Sequence, residues 1–239
     1  MHARSHAECE HKNEHERMII VVTGLAFEAR IAAGAGVRVI CQQNATLADV
    51  LVPALADGCE GVVSFGTAGG LIDDLRPGAW VIGRSVISGK RRFEADSRWS
   101  QALCGMLPEA RFGDIAGVPE PVVNTADKHA LNRMTGAIAA DMESQVVARL
   151  ANARELPFVC CRVVIDPAER SLPEAALAGM RADGSTDIGA VLRSLLRHPG
   201  QLPGLLAVAR DAAHAKKSLT RGRGKISTGF GFGSAPQAG

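Results

Sequence analysis

The sequence predicts an α/β fold, a layered sheet with helices on its faces, from three observations. Short apolar runs rich in β-branched residues end in Gly or Asp, as in MIIVVTG (18–24), GVVSFG (61–66) and PFVCCRVVID (157–166), and such runs read as buried strands. Stretches with helical spacing lie between them, so strand and helix alternate. The 239 residues, 46% hydrophobic and 22% charged, have the composition of one ordinary globular unit.

The elements follow in order. After the first strand, residues 25–33 form a helix that opens at Gly24. VRVICQ (37–42) is a strand, 46–56 a helix capped by Thr46 or Asn44, and 61–66 a strand followed by a flexible loop, Gly66-Thr67-Ala68-Gly69-Gly70. AWVIGRSVIS (79–88), 111–118 and 138–140 are further strands, with 125–134 helical before the last. Residues 144–152 form an amphipathic helix, and 157–166 suits a strand buried on both faces. Beyond Asp166 the strands stop, and 173–181, 187–197 and 203–217 read as helices punctuated by Gly and Pro. Residues 1–17 and 219–239 show no periodicity and are expected to be disordered, leaving 18–218 as a single domain.

Composition excludes several classes of function. The net charge of +2 is too small for a protein that binds nucleic acid by neutralising phosphates. Seven Phe, two Trp and no Tyr leave no stacking platform for single-stranded bases. The longest charge-free apolar run, 61–72, is well short of the roughly 18 residues that cross a bilayer. Residues 1–17 lack the apolar core of a secretory signal, so a cytoplasmic location is expected. Six cysteines without paired spacing are expected to stay reduced. The Cys160–Cys161 pair on a strand should point to opposite faces and cannot hold one metal. The H-x-x-E-H match at 11–15 has no apolar face to dock a zinc-binding helix, so no metal is expected. Gly66-Thr67-Ala68-Gly69-Gly70 fits neither the GxGxxG nor the GxxxxGK[ST] phosphate loop.

What remains is a set of carboxylates at the ends of apolar strands, where an α/β sheet places its ligands. Glu28 lies four residues beyond Gly24, Asp141-Met142-Glu143-Ser144 joins a strand to a helix, and Asp166 ends the most apolar strand. Each also has a purely structural reading: Glu28 as a first-turn helix charge, Asp141 or Ser144 as an N-cap, Asp166 as a turn starter before Pro167. Three such carboxylates together with a Gly loop read as a site.

Gly24-x-x-x-Glu28, the GTAGG segment with Leu71, Pro77-Gly78-Ala79-Trp80-Val81, DMES at 141–144 and the strand ending in Asp166 resemble, in that order, the nucleoside phosphorylase and nucleosidase superfamily. GLAFEARIAAG (24–34) and LLRHPGQLPGLLAVA (195–209) are similar to its hopanoid-associated phosphorylase branch. The resemblance implies a three-layer fold with a central mixed, twisted sheet, and cleavage of a purine nucleoside N-glycosidic bond in a homo-oligomer. It implies no cofactor beyond inorganic phosphate as a co-substrate. By resemblance, Asp166 protonates or hydrogen-bonds N7 of the leaving adenine and Glu28 is the base that activates water. Glu143 would accept the ribose hydroxyls, Met142 would pack on the sugar, and Thr67, Ala68 and Gly69 would border nucleophile and base. An aromatic often stacks on the base in the stretch corresponding to 121–128; this chain has none there, which leaves Phe158 and backbone contacts to recognise adenine. Phosphorylases of the superfamily commonly place Arg where this chain has Glu28 and Ser64, so the pattern is nucleosidase-like, with Arg30 or a neighbouring subunit as the remaining sources of a cation. Nucleosidases usually have Ser before the acid, where this chain has Ile165.

For the hopanoid branch the implied substrate is adenosylhopane, giving adenine and ribosylhopane or its phosphate. Leu202, Leu205, Leu206 and Ala209 opposite Arg210, Lys216 and Lys217 read either as an amphipathic helix touching the inner membrane face or as a helix packed on the core. Two other readings of the chain remain open: a methylthioadenosine or adenosylhomocysteine nucleosidase, and a nucleoside-binding protein without turnover.

Overall fold

The computed structural model describes residues 18–174, 193, 194 and 197–234. The first strand, β1 (Ile19–Thr23), is buried at all five positions and sends alternate side chains into two cores. It leads into α1 (Ala26–Ala32), β2 (Val37–Cys41), α2 (Asn44–Ala56) and the ten-residue β3 (Gly61–Gly70). The N-cap of α2 is Gln43, not the expected Asn44 or Thr46. Then come β4 (Trp80–Ser88), β5 (Arg91–Glu94), α3 (Ser97–Met106), β6 (Arg111–Gly117), α4 (Thr125–Thr135) and β7 (Ala139–Asp141). The remaining strand and α-helices among the described residues are α5 (Ser144–Asn152), β8 (Phe158–Asp166) and the 22-residue α6 (Leu202–Arg223), followed by a 3-10 turn at Thr228–Gly231.

The eight strands form one mixed sheet in the order β2-β1-β3-β7-β6-β4-β5, and β8 pairs with both β3 and β4. The path β3-β8-β4-β6-β7 therefore closes back on β3. Helices cover both faces. On one side α2 and α5 pack through Leu47, Leu51, Val147 and Ala151. On the other, α3 and α6 pack through Trp99, Leu103, Ala215 and Leu219. Cys160 and Cys161 fall in opposite cores, as a strand's two-residue period requires.

Three expectations need correction. Residues 66–70 are not a flexible loop but the second half of β3, because β8 supplies partners from Gly66↔Arg162 to Gly69↔Asp166 and β7 pairs at Gly69 and Gly70. Glycine-rich backbone reads locally as a loop, yet two flanking ladders satisfy its amides. The interval 91–106, given no element by the sequence, holds β5 and α3, whose N-cap Asp96 accepts from Trp99 N at 2.8 Å. The segment 219–234 is not disordered. Leu219 and Phe230 are fully buried, the Phe230 carbonyl accepts from Trp99 Nε1 at 2.8 Å, and its ring meets Phe65 edge-on at 5.1 Å. The expected disorder at 1–17, the H-x-x-E-H match and most of the helices expected at 173–181 and 187–197 lie outside the described residues.

Candidate active site

Four chain segments converge at one end of the sheet. Beyond β1 the chain turns at Gly24 into α1, and Glu28 in the first turn of α1 folds back so that its Oε2 accepts from Gly24 N at 3.2 Å and Leu25 N at 3.0 Å. Its Oε1 accepts from the Thr67 amide and the Thr67 hydroxyl, both at 2.7 Å, which joins the β1 end to β3. The bend at β7–α5 brings in Glu143, and Asp166 ends β8. All three carboxylates are at most 9% exposed.

Each carboxylate packs on a glycine. A Cβ on Gly24 would lie 2.5 Å from Glu143 Oε1, one on Gly66 2.6 Å from Glu28 Cδ, and one on Gly69 3.2 Å from Asp166 Oδ1. Gly66 also has φ +147°, a region that favours glycine. The local sequence thus makes room for three acids where the strands end.

These groups form the floor of a cavity of about 520 Å³ whose walls include Leu25, Leu71, Val122, Leu172, Leu205 and Val208. Met142, Thr67, Ala68 and Gly69 line it. Phe158 does not. It begins β8, opposite Val62, and is buried in the core beneath α2 and α5. Eight residues of strand separate it from Asp166, roughly 26 Å at the extended rise per residue, so it takes no part in base recognition. The described lining contains no aromatic residue. Arg30 is exposed and does not line the cavity.

Beneath the floor lies Arg162, fully buried in the middle of β8. Its Nη2 donates to Asp141 Oδ1 at 3.0 Å and to the Ser64 hydroxyl at 2.5 Å, and stands 3.7 Å from Glu143 Oε2. Asp141 Oδ1 also accepts from Glu143 N at 2.9 Å and Ser144 N at 2.7 Å, although the N-cap of α5 is Glu143 and not the expected Asp141 or Ser144. The sequence did carry a signal for Arg162: a lone charge in a strand apolar on both faces must find partners inside the protein. The reading of strand-end carboxylates passed over it because it sits four residues before the end.

Lys128 of α4 was missed as well. It is 1% exposed and its ammonium meets the Asp166 carboxylate, the Pro167 carbonyl at 2.9 Å and the Arg170 carbonyl at 2.8 Å. A single Lys in a polar helix carries no local mark of such a role; only the chain's return after β8 creates its partners.

Burial raises the proton affinity of all three acids. Glu28 is pushed up by desolvation, against the charge of Arg162 and the hydrogen bonds from Thr67. Glu143 is raised to about 8 by burial, with Arg162 opposing and the nearby Asp141 and Glu28 adding to the rise. Asp166 is raised by burial and held down by Lys128. Glu143 is thereby brought into the range where a carboxyl exchanges protons near neutrality. Among the described residues no group of His, Cys, Asp and Glu is arranged to hold a metal ion.

The fold resembles solved enzymes at low identity. Helicobacter pylori 5′-methylthioadenosine/S-adenosylhomocysteine nucleosidase, in complex with a substituted pyrrolidin-3-ol, superposes with a TM-score of 0.60 at 14% identity over 88% of this chain and 99% of that one. The Neisseria meningitidis nucleosidase with methylthio-immucillin-A gives 0.59 at 16% identity, over 87% and 97%. Helicobacter pylori futalosine hydrolase gives 0.57 at 16% identity, over 63% and 88%. No curated protein matches the sequence. The model of the phosphorylase superfamily matches residues 4–197, more than half of the chain. With its mixed sheet and strand-end carboxylates, the chain belongs to the phosphorylase superfamily, the enzymes that cleave nucleoside N-glycosidic bonds.

Proposed function

We propose that the protein hydrolyses a purine nucleoside that carries a large apolar 5′ group, adenosylhopane on the sequence resemblance, to adenine and ribosylhopane. The observation that carries this reading is the pairing of an acidic floor with apolar walls in one cavity. Asp166 protonates N7 as the C1′–N9 bond breaks and its electron pair moves to the base. The sugar develops oxocarbenium character, and a water adds to C1′ while Glu28 takes its proton. Glu28 accepts four hydrogen bonds at rest, so one must be released for water to bind. The Thr67 hydroxyl is the one donor that rotates without moving the backbone. Glu143 and Met142 hold the ribose.

Charge favours water over phosphate. Among the described residues the cations at and beneath the floor are already engaged, Lys128 by Asp166 and Arg162 by Asp141 and Glu143, while a phosphate dianion would face Glu28 and Asp141 without a partner. The apolar wall continues outward along α6, where Leu202 and Leu206 are 45% and 62% exposed beside the cavity-lining Leu205. This supports an apolar substituent leaving the cavity along α6, and with it contact between this helix and a membrane surface. No helix among the described residues is long and apolar enough to cross a membrane.

The second reading, a methylthioadenosine or adenosylhomocysteine nucleosidase in nucleoside salvage, draws on the fold likeness to the Helicobacter pylori enzyme. Adenine release from adenosylhopane and from methylthioadenosine, each with and without phosphate, separates the readings. Release from adenosylhopane without phosphate is expected. Faster release from methylthioadenosine overturns the substrate assignment, phosphate dependence overturns water as nucleophile, and binding without release leaves a nucleoside-binding protein.

A further inference from the structure

We propose that Lys128 is a positioning residue for protonation of the leaving base, fixing the Asp166 carboxyl over Gly69 and providing the positive charge beside which it gains and gives its proton. The inference rests on the reading of Asp166 as the group that protonates the base.

The geometry assigns this role. Three acceptors surround the Lys128 nitrogen, namely Asp166 Oδ2, the Pro167 carbonyl at 2.9 Å and the Arg170 carbonyl at 2.8 Å. A neutral amine has only two N–H groups, so satisfying all three requires the ammonium. The two carbonyl bonds anchor the nitrogen to the turn that follows β8, and the third fixes one oxygen of the acid. Asp166 Oδ1 is left above Gly69, with both residues facing the cavity.

Among the described residues no other cation takes this place. Arg170, the second positive charge near Asp166, is paired with Asp211 of α6. From β3 the carboxyl faces Gly69, which bears no charge. Ile165, the residue before the acid, offers no hydrogen bond from its side chain. Orientation of Asp166 by a side chain therefore comes from α4, an element that contributes no other polar group to the cavity lining.

A purely structural Lys128 would hold the turn together and affect all rates alike. A Lys128 that works on Asp166 has a sign: its charge favours the ionised acid, so removing it lets Asp166 stay protonated to higher pH. Glu28 and Glu143, which also titrate at the floor, are the same in both enzymes and cancel in the comparison.

The test measures kcat and kcat/KM for adenine release across pH in wild type, Lys128→Met and Lys128→Arg. For Lys128→Met, kcat at pH 7 should fall by about 10²-fold through lost alignment, and the alkaline limb should move to higher pH. Lys128→Arg should leave the limb where it is in the wild type. A uniform loss with the limb unmoved in Lys128→Met, or wild-type rates, overturns the proposal. Should Lys128→Met not fold, Lys128→Gln takes its place with the same expected displacement of the limb. Failure of the underlying reading is distinguishable: Asp166→Asn would then release adenine at the wild-type rate, whatever the Lys128 variants do.

Discussion

Replacing Gly66 with Ala should disable the site without replacing any reacting group. The new Cβ would stand 2.6 Å from Glu28 Cδ, and ordinary contact begins at 3.4 Å, so the carboxyl must retreat by roughly 0.8 Å. Glu28 cannot do this freely, because its two oxygens are held by Gly24 N, Leu25 N, Thr67 N and the Thr67 hydroxyl. A misplacement of that size costs about 10²-fold in rate, which corresponds to about 2.7 kcal/mol of transition-state stabilisation. Ala at φ +147° adds backbone strain of about 1–3 kcal/mol, felt as lost stability. Gly58→Ala separates the two effects. Gly58 also has positive φ, +93°, but nothing lies within 4 Å of its Cβ position, so that variant should lose stability and keep its activity. The assay is kcat for adenine release together with the thermal midpoint of each variant. A Gly66→Ala enzyme that is folded and turns over at the wild-type rate would refute the argument that this glycine sets the position of the base.

Glu28→Gln should lower kcat by about 10²–10⁴-fold, because an amide cannot take the proton of water and its nitrogen would face at least one of the N–H donors that the carboxylate now accepts; a fully active variant would remove Glu28 as the base. Asp114 is held at about 2 against an ordinary 3.8, burial being outweighed by hydrogen bonds from Arg84, Arg92 and Ser85. Its contribution to stability is therefore present above pH 3.8 and lost as pH falls through about 2. Asp114→Asn should be less stable than wild type at pH 7, and the difference in denaturant midpoint should close at the acid end. Phe230→Ala should cost about 3–5 kcal/mol, since the ring is fully buried between Phe65 and Arg223; an unchanged midpoint would return 219–234 to the status of a loose tail. Full-length protein is expected to float with anionic liposomes, and Leu202→Ser with Leu206→Ser to abolish flotation while leaving the fold intact. That pair is a cleaner test than deleting 201–239, which would remove Ala215, Leu219 and Phe230 from the core.

The alternation of strands and helices outside 91–106, the burial of β1 and of both faces of β8, and the standing of Glu28, Glu143 and Asp166 at the ends of apolar runs were legible in the sequence. They depend on local regularities: a two-residue period, β-branched runs, and acids placed where such runs end. What decides whether those acids act together is the spacing of strands that are far apart in the chain. Thr67 reaches Glu28 across 39 residues and Lys128 reaches Asp166 across 38, and no local pattern encodes either pairing. The same limit explains Gly66 to Gly70, loop-like in composition but held as strand by β7 and β8, and Phe158, on the right strand but at its wrong end. The sequence by itself determined which residue types stand at the strand ends. Only the tertiary structure decided that Arg162 lies beneath them and Lys128 beside them, because a buried charge is tolerated only where the folded chain brings its partners within hydrogen-bonding distance.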